Sequence, residues 1–225
     1  MLEIISSSLL DAKNSIKGGA HRIELISALS EGGLTPSDGL IRSVLELPIE
    51  VAVMLRPFSK SFCYGQDELL VMTRDLLRME AIGVKRIVVG ALTPQGEVDV
   101  EFLKRLFSAT NMRATFHRAI DQSHNIFKSL EKINKIHNFT HVLSSGGPGT
   151  ARQNIEVLKK MMEGPLQVVV GSGVDFGNME YLIKEFSGKN YDLHFGRAVR
   201  GGDIQNNVSE DLVRKAREII NNKEK

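Results

Sequence analysis

Residues 67–91, DELLVMTRDLLRMEAIGVKRIVVGA, contain a helix pattern that is followed directly by a strand pattern. The leucines and methionines of the first part recur at the spacing of an amphipathic helix, and Gly83 ends that pattern. The run RIVVGA that follows is short, apolar and β-branched, which predicts a strand. This stretch is therefore interpreted as one helix–strand step of an α/β protein.

The same alternation repeats along the chain. Further short β-branched runs begin near residues 2, 22, 50, 113, 141, 167 and 192, and helix-compatible stretches lie near 9–17, 37–46, 98–109, 125–136, 150–162, 177–187 and 209–221. Eight such units in 225 residues predict a compact (β/α)8 TIM barrel, a single domain over residues 1–225. The alternative, an open doubly wound sheet, is disfavoured because the first turn, SSSLLD, has no glycine.

The composition argues against several classes of protein. With 29 basic and 27 acidic residues and no basic stripe outside the C-terminal segment, we expect no nucleic-acid partner. No signal peptide and no apolar run of membrane-spanning length is recognised, so we expect a cytoplasmic protein without a membrane partner. The single cysteine excludes an internal disulfide and a multi-cysteine zinc site.

Polar side chains collect where the predicted strands end. Because active sites of such barrels lie at the carboxyl ends of the strands, these residues are the candidates for a site. His21, Arg86 and His141 fall at the opposite end, which we expect to serve stability. The residues on the candidate side, within the strands or at their carboxyl ends, are Glu3, Glu24, Arg56, His117, Ser144, Ser145, His194 and Arg197.

Two interpretations of the buried glutamates stay open. Glu3 and Glu24 either contact a ligand or join an ion network in the barrel mouth, with Arg56 as the partner of one of them, because an apolar lumen requires charges to be paired. We select Glu24, His117 and Arg56 as catalytic candidates, and Glu3 and His194 as ligand-binding candidates.

The stretch RATFHRAID, residues 113–121, places His117 on the same face of its strand as Thr115. Arg118 then points to the other side and is expected to anchor the loop or a helix. Asp121 is expected to cap the following helix, with Ser123 as the alternative cap.

Glycine-rich loops follow the last three strands: SSGGPGT (144–150), GSGV (171–174) and FGRAVRGG (195–202). Glycines let backbone N–H groups approach an anion, and an arginine adds a bidentate contact. The alternative is that small residues only let these turns form. The anion-binding candidates are Ser145, Gly171, Gly173, Gly196 and Arg197.

Cys63 is a weak candidate for copper(I). That ion needs at least two soft sulfur ligands, and Met54 and Met72 lie in a predicted strand and a predicted helix, where they are expected to be core residues.

Five segments together make the chain resemble the CutC family, which is named for copper homeostasis. They are RIELISALSEGGLTPS (22–37), LRPFSKSFCYG (55–65), ATFHRAID (114–121), HVLSSGG (141–147) and GSGV (171–174). The resemblance covers about residues 2 to 200. It implies a (β/α)8 barrel, a cytoplasmic location, a role in copper homeostasis and homo-oligomers, commonly dimers.

One departure from the family pattern concerns copper. Relatives often carry a cysteine two residues after each strand glutamate, in patterns such as LEVC and RIELC, and this chain has Ile5 and Ile26 there. Residues two apart on a strand share a face, so such cysteines are plausible copper(I) ligands in those relatives. Isoleucine cannot bind copper, which argues against direct copper binding at this location.

Three functions therefore stay open. The first is a copper-handling protein, with copper(I) bound through Cys63 at a subunit contact. The second is an isomerase or lyase that acts on a small anionic or phosphorylated metabolite, and the third is a non-catalytic barrel that binds a ligand or a partner.

Overall fold

The structure is a computed structural model that describes residues 1–223. Eight parallel strands in that range pair in chain order and close into one barrel, so the predicted fold is confirmed. The strands are β1 Leu2–Ser6, β2 Arg22–Leu25, β3 Glu50–Met54, β4 Arg86–Val89, β5 Arg113–Phe116, β6 Phe139–Ser144, β7 Gln167–Val170 and β8 Tyr191–Phe195. The helices are α1 Leu9–Lys17, α2 Asp38–Leu45, α3 Gln66–Ala81, α4 Val100–Phe107, α5 Ile126–Asn134, α6 Ile155–Met161, α7 Met179–Glu185 and α8 Glu210–Lys223.

Several of these helices begin just after a short polar residue, at the point where a loop sequence is followed by apolar residues at helical spacing. Ser8 Oγ accepts a hydrogen bond from the backbone N–H of Asp11 at 3.0 Å, and Asp99 Oδ1 accepts one from Phe102 at 3.0 Å. These caps satisfy N–H groups that have no partner inside the helix. Helices that start at fixed points hold each βα loop at the carboxyl end of its strand.

The strands place alternate side chains in two different apolar layers. Val51 and Val53 belong to the main core between the sheet and the helices, whereas Ala52 and Met54 belong to a smaller cluster with Ile26 and Val88. Successive strand residues point to opposite faces, so the smaller cluster lies in the lumen of the barrel.

Charged side chains fill the lumen at the amino end of the strands. Arg86 Nε donates to Glu50 Oε1 at 2.9 Å, and Arg86 Nη1 lies 2.9 Å from Thr140 Oγ1 and 2.8 Å from His141 Nδ1. Burial and the neighbouring Arg86 guanidinium lower the pKa of His141 to about 4, so this imidazole is neutral. The prediction that Arg86 and His141 serve stability at this end agrees with these contacts.

Arg22 links this end to the middle of the barrel. It pairs with Glu3 and donates through Nη2 to Asp192 Oδ2 at 2.7 Å, while Gln167 donates to the other oxygen of Asp192 at 3.1 Å. We call Arg22, Glu50, Arg86, Thr140, His141, Gln167 and Asp192 the amino-end network.

Within residues 1–223, no helix is both long and apolar enough to cross a membrane.

Candidate active site

A cavity of about 1010 Å³ opens at the carboxyl end of the barrel. Its volume is at the upper end of the range typical of small-molecule sites, about 300–1,000 Å³. Most of the predicted site residues line it, namely Glu24, Arg56, His117, Gly173, His194, Gly196 and Arg197. Among the described residues, its lining does not include the other five candidates, Glu3, Ser144, Ser145, Gly171 and Cys63.

Barrel closure brings Glu3 between two partners from neighbouring strands. Glu3 is the register partner of Arg22 on β2 and of His194 on β8. It pairs with Arg22 through one carboxylate oxygen, and its other oxygen lies 2.7 Å from His194 Nδ1. The suggestion that Arg56 pairs with one of the glutamates is wrong, because Arg22 takes that role for Glu3 and Arg56 binds backbone carbonyl groups.

Glu24 has a different environment from Glu3. It is buried and lines the cavity, its Oε2 lies 3.7 Å from His194 Nε2, and its Oε1 has no hydrogen-bond partner in the described part of the chain. The row Glu24, His194, Glu3 and Arg22 thus runs from the cavity into the amino-end network. Glu3 is satisfied within the protein, whereas Glu24 keeps one free oxygen.

The pKa values of these groups follow from burial and from their neighbours. Burial raises the pKa of Glu24 to about 7, against the opposing effect of His194. Burial alone would also raise the pKa of Glu3, but Arg22 and His194 hold it well below its usual range. Burial alone would lower the pKa of His194, yet Glu24 and Glu3 raise it. Glu24 is therefore a carboxyl group that exchanges a proton near neutral pH, as general acid–base chemistry requires.

His117 follows β5 and faces the cavity with one nitrogen unpaired. Its Nδ1 accepts a hydrogen bond from the backbone N–H of Ala119 at 3.2 Å, so the proton of the neutral ring is on Nε2. Burial and the Arg56 guanidinium lower its pKa to about 3. Nε2 is buried without a partner among residues 1–223, and it is a donor available to a ligand.

Arg56 is fixed beside His117 by carbonyl groups of the loops after β2 and β3. Its Nη1 donates to the carbonyl oxygens of Glu31 and Gly33 at 3.0 and 3.2 Å, and its Nη2 donates to that of Ser59 at 3.1 Å. Its guanidinium carbon lies 4.7 Å from the centre of the Phe62 ring. Its buried Nε has no acceptor in the described range, and the Arg56 residue lines the cavity.

Asp121 does not cap the next helix, so that prediction is wrong, and Ser123 does not cap it either. Asn125 is the cap residue of α5, and Asp121 lies in a buried 3-10 turn, Arg118–Gln122. There it accepts hydrogen bonds from Ser144 Oγ at 2.5 Å and from Ser145 Oγ at 2.8 Å, and from backbone N–H groups of the loop after β6. Through these hydrogen bonds, the Asp121 carboxylate holds this loop against the 3-10 turn.

Arg118 is positioned by the same carboxylate. Its Nε donates to Asp121 Oδ2 at 3.0 Å, and its half-exposed side chain lines the cavity mouth. The expectation that Arg118 points away from the side of His117 is wrong, because both residues line the cavity. Arg118 Nη2 lies 3.4 Å from Ser145 Oγ, which agrees with the expectation that Arg118 anchors a loop or a helix. Ser145, an anion-binding candidate, is instead held by Asp121 and by the carbonyl oxygen of Gly147.

Close packing explains two of the glycines that were selected as anion-binding candidates. A Cβ on Gly171 would lie 2.8 Å from Leu143 and 3.3 Å from His194, and one on Gly196 would lie 2.9 Å from Ile5. Gly173 and Arg197 remain exposed at the mouth, where Arg197 could reach an anion.

Gly90 is a functional position that sequence reasoning missed. A Cβ there would lie 2.6 Å from His117 Nδ1, so only glycine leaves room for this ring. Phe62 was also missed, although it lines the cavity with its ring centre 4.8 Å from that of His117. The glycine that follows the apolar run RIVV was the available signal, since an isolated glycine at a strand end often marks a close approach.

This structure offers few sulfur ligands for copper(I). Cys63 is partly exposed in the loop between β3 and α3, and Ile5 and Ile26, at the two positions where the family resemblance implies cysteines, form part of the cavity wall. Among the described residues there is no group of three or more His, Cys, Asp or Glu side chains that could hold a metal ion. The residues present do not fit a thiolate copper site in the cavity.

Comparison with known proteins agrees with this fold. The CutC family model matches residues 1–217. The chain is 34% identical over 206 residues to a CutC family protein of Aliivibrio fischeri, covering 88% of this chain and 83% of that protein. It is 35% identical to the human protein named copper homeostasis protein cutC homolog, covering 82% and 69% of the two chains.

Solved structures show the same relationship. A crystal structure from Streptococcus agalactiae, described as that of a CutC copper homeostasis protein, has a TM-score of 0.79 and 30% identity, and covers 86% of this chain and 97% of that one. A phosphoribosylanthranilate isomerase of Thermotoga maritima, with a TM-score of 0.64 and 13% identity, covers 98% of each chain and shares the fold alone. The chain is a member of the CutC family.

Proposed function

We propose that this protein is an acid–base enzyme of the isomerase or lyase type that acts on a small anionic or phosphorylated metabolite. One observation supports this above the others. Three buried side chains that line one cavity each leave a polar atom without a partner in the described chain: Glu24 Oε1, Arg56 Nε and His117 Nε2. Unpaired buried polar groups reduce stability, so their presence on three residues that line one cavity favours a ligand that pairs with them.

The chemistry of the three atoms fits proton transfer beside a carbonyl group. Glu24 takes a proton from the carbon next to the carbonyl, the C–H electron pair forms a C=C bond, and the former C=O pair moves to the oxygen. The Arg56 and His117 donors hold that oxygen as its negative charge develops. If the first carbon carries a hydroxyl group, an isomerisation is completed when Glu24 returns the proton to the former carbonyl carbon and the hydroxyl proton passes to the former carbonyl oxygen, so that the first carbon becomes the new C=O. If the next carbon carries a leaving group, the enolate re-forms the C=O bond and expels that group, which completes an elimination.

The pKa values support these roles. A carboxyl group with a pKa of about 7 both accepts and returns a proton at neutral pH. An imidazole with a pKa of about 3 stays neutral and donates a hydrogen bond through Nε2 without carrying a charge.

A thermal-shift screen of anionic metabolites, followed by NMR of solvent deuterium exchange into each metabolite that binds, tests the proposal. We expect Glu24→Gln to slow exchange by about 100-fold or more, the scale of general acid–base catalysis. Glu50→Gln, a matched change in the amino-end network, should leave exchange within about threefold, a margin well below that catalytic effect. Exchange that survives Glu24→Gln would refute the mechanism, and binding without exchange would favour a non-catalytic ligand-binding barrel.

Copper handling is the second candidate, because relatives carry copper homeostasis in their names. On our proposal, any role of this chain in copper homeostasis does not depend on a thiolate site in the cavity. Anaerobic copper(I) titration against a competing chelator distinguishes the two. If the wild type competes no better than Cys63→Ser, direct copper binding through this residue fails.

We further propose that the protein works in the cytoplasm as a homodimer or other homo-oligomer, as the family resemblance implies. The exposed apolar side chains Leu70, Val71 and Leu77 of α3 support a contact between copies. Light scattering on the wild type and on Leu70→Glu tests this, with a smaller assembly expected for the variant. Fractionation of the source cells tests the location.

A further inference from the structure

One wall of the cavity is a built hydrocarbon surface. Ile26 and Met54 belong to the buried cluster in the lumen, and Ile5 and Leu29 pack against that cluster. All four line the cavity, and further apolar side chains line it as well: Phe62, Leu143, Val174 and Ile204. The cavity therefore has an apolar body around the unpaired polar atoms of Glu24, Arg56 and His117.

Close contacts with glycines fix this surface. A Cβ on Gly33 would lie 3.2 Å from Ile26 Cγ2 and 3.3 Å from Met54 Cε, and one on Gly196 would lie 2.9 Å from Ile5 Cδ1. The backbone approaches these three side chains so closely that they have little room to move away. A ligand beside them therefore contacts hydrocarbon, because these side chains cannot move aside to expose a polar group.

This surface discriminates between classes of metabolite. A hydroxyl group placed against Ile26 or Met54 loses its hydrogen bonds to water and gains none, which weakens binding of a polyhydroxylated sugar derivative. An apolar group placed there gains affinity in proportion to the area it removes from water.

The polar groups constrain the other half of the ligand. Arg56 is buried and donates to neutral carbonyl groups, so a negative or strongly polar oxygen is favoured beside its Nε, which has no acceptor within residues 1–223. His117 offers a second donor to oxygen, and Glu24 offers a group that exchanges a proton. A carbonyl next to a carboxylate, with an acidic C–H on the far side of the carbonyl, satisfies all three groups.

We infer that the substrate is a 2-oxo acid with an apolar side group of about the size of an aromatic ring, and not a sugar phosphate. This inference rests on the proposed acid–base function and names the class of its substrate. In the step that it implies, Glu24 removes a proton from the carbon between the carbonyl and the apolar group, and the carbonyl becomes an enolate. The proton then returns to the enolate oxygen, which gives the enol isomer, or to the same carbon, which restores the 2-oxo acid. No oxidant, reductant or further reactant is needed.

The experiment compares phenylpyruvate, pyruvate and ribulose 5-phosphate with the full-length protein. Calorimetry measures binding, and NMR in D2O measures exchange of the C–H protons next to each carbonyl above the rate without protein. We expect phenylpyruvate to bind at least about tenfold more tightly than pyruvate, since burial of a ring removes a large apolar area from water. Met54→Gln should reduce that ratio, whereas Leu10→Gln, at an exposed position of α1, should preserve it.

The outcomes separate this inference from the proposed function. Binding of phenylpyruvate without faster exchange would support the ligand class and refute the acid–base function. Binding and exchange of ribulose 5-phosphate in preference to phenylpyruvate would support the function and overturn the ligand class. Equal affinity for phenylpyruvate and pyruvate would also overturn it. If Met54→Gln does not fold, Ile5→Thr, at a partly buried position of the same wall, replaces it.

Discussion

At the amino end of the barrel, Arg86 donates to Glu50 and Thr140, and Arg22 pairs with Glu3 and Asp192. At the carboxyl end, the same kinds of side chain leave atoms unpaired, with Arg56 Nε, Glu24 Oε1 and His117 Nε2 lacking partners within residues 1–223. Arg22, Arg86, Glu3 and Asp192 are buried at the first end and Arg56, Glu24 and His117 at the second, and both sets lie within strands, at their ends or just beyond them.

The difference shows what separates a structural charge network from a site. Buried charges that satisfy one another hold the lumen together, and removing one partner leaves the other without compensation. Buried polar atoms without partners instead reduce stability until a ligand pairs with them. The residue types alone do not distinguish the two ends, because each contains Arg, Glu and His.

Among the substitutions that test this comparison, Arg22→Met should lower the free energy of unfolding the most. It leaves Glu3 and Asp192 buried without their guanidinium partner, so we expect a loss of about 3–5 kcal/mol in the free energy of unfolding, measured with urea. Arg42→Met removes a half-exposed ion pair with Asp38 and should cost less than about 1 kcal/mol. Equal costs for the two variants would contradict a structural role for the amino-end network.

Glu24→Gln should change how stability depends on pH. The pKa of Glu24 is raised to about 7 in the folded state from an ordinary 4.5. Its contribution to the free energy of unfolding is therefore fully present below pH 4.5 and is lost as the pH rises through 7. Relative to the wild type, Glu24→Gln should therefore gain stability between about pH 4.5 and 8, by on the order of 3 kcal/mol in total. Urea unfolding of both proteins across this range measures it, and a constant difference would refute the raised pKa.

His117→Asn should give the opposite slope, and the asparagine oxygen can still accept from Ala119. The pKa of His117 is lowered to about 3 from an ordinary 6.5, so protons bind the unfolded state first and wild-type stability falls as the pH drops below 6.5. The variant should lose less stability than the wild type from pH 6.5 towards pH 4. Parallel curves would mean that the imidazole is not held neutral by burial.

Gly90→Ala should have a smaller effect that is confined to the carboxyl end. The new Cβ would lie 2.6 Å from His117 Nδ1, so the ring must shift, at a cost of about 1–3 kcal/mol for overpacking. Gly39→Ala in α2 meets no atom within 4 Å and should stabilise by up to about 1 kcal/mol. Thermal unfolding measures both, and the NMR chemical shifts of His117 should move only in Gly90→Ala.

Much of the architecture follows from the sequence because strand and helix periodicities are local properties. The run RIVV and the apolar spacing of 67–83 are visible without any partner, and α1 occupies the predicted residues 9–17. The carboxyl-end placement of Glu24, Arg56, His117 and His194 follows from the same reasoning, since strand order fixes which end a loop occupies. Roles that depend on contacts were less predictable, as Asp121 shows by binding the loop after β6 and not capping α5.

The sequence by itself therefore determined the barrel, its family and the end at which the candidate side chains lie, because these depend on local periodicity, on spacing and on segments that stand in order. Only the tertiary structure decided which charges are paired. Glu3 meets His194 across the closure between β1 and β8, a contact between residues 191 positions apart, while one oxygen of Glu24 on β2 has no partner in the part of the chain that the structure describes. No local pattern distinguishes these two glutamates, because the difference arises from the register that closure of the barrel imposes.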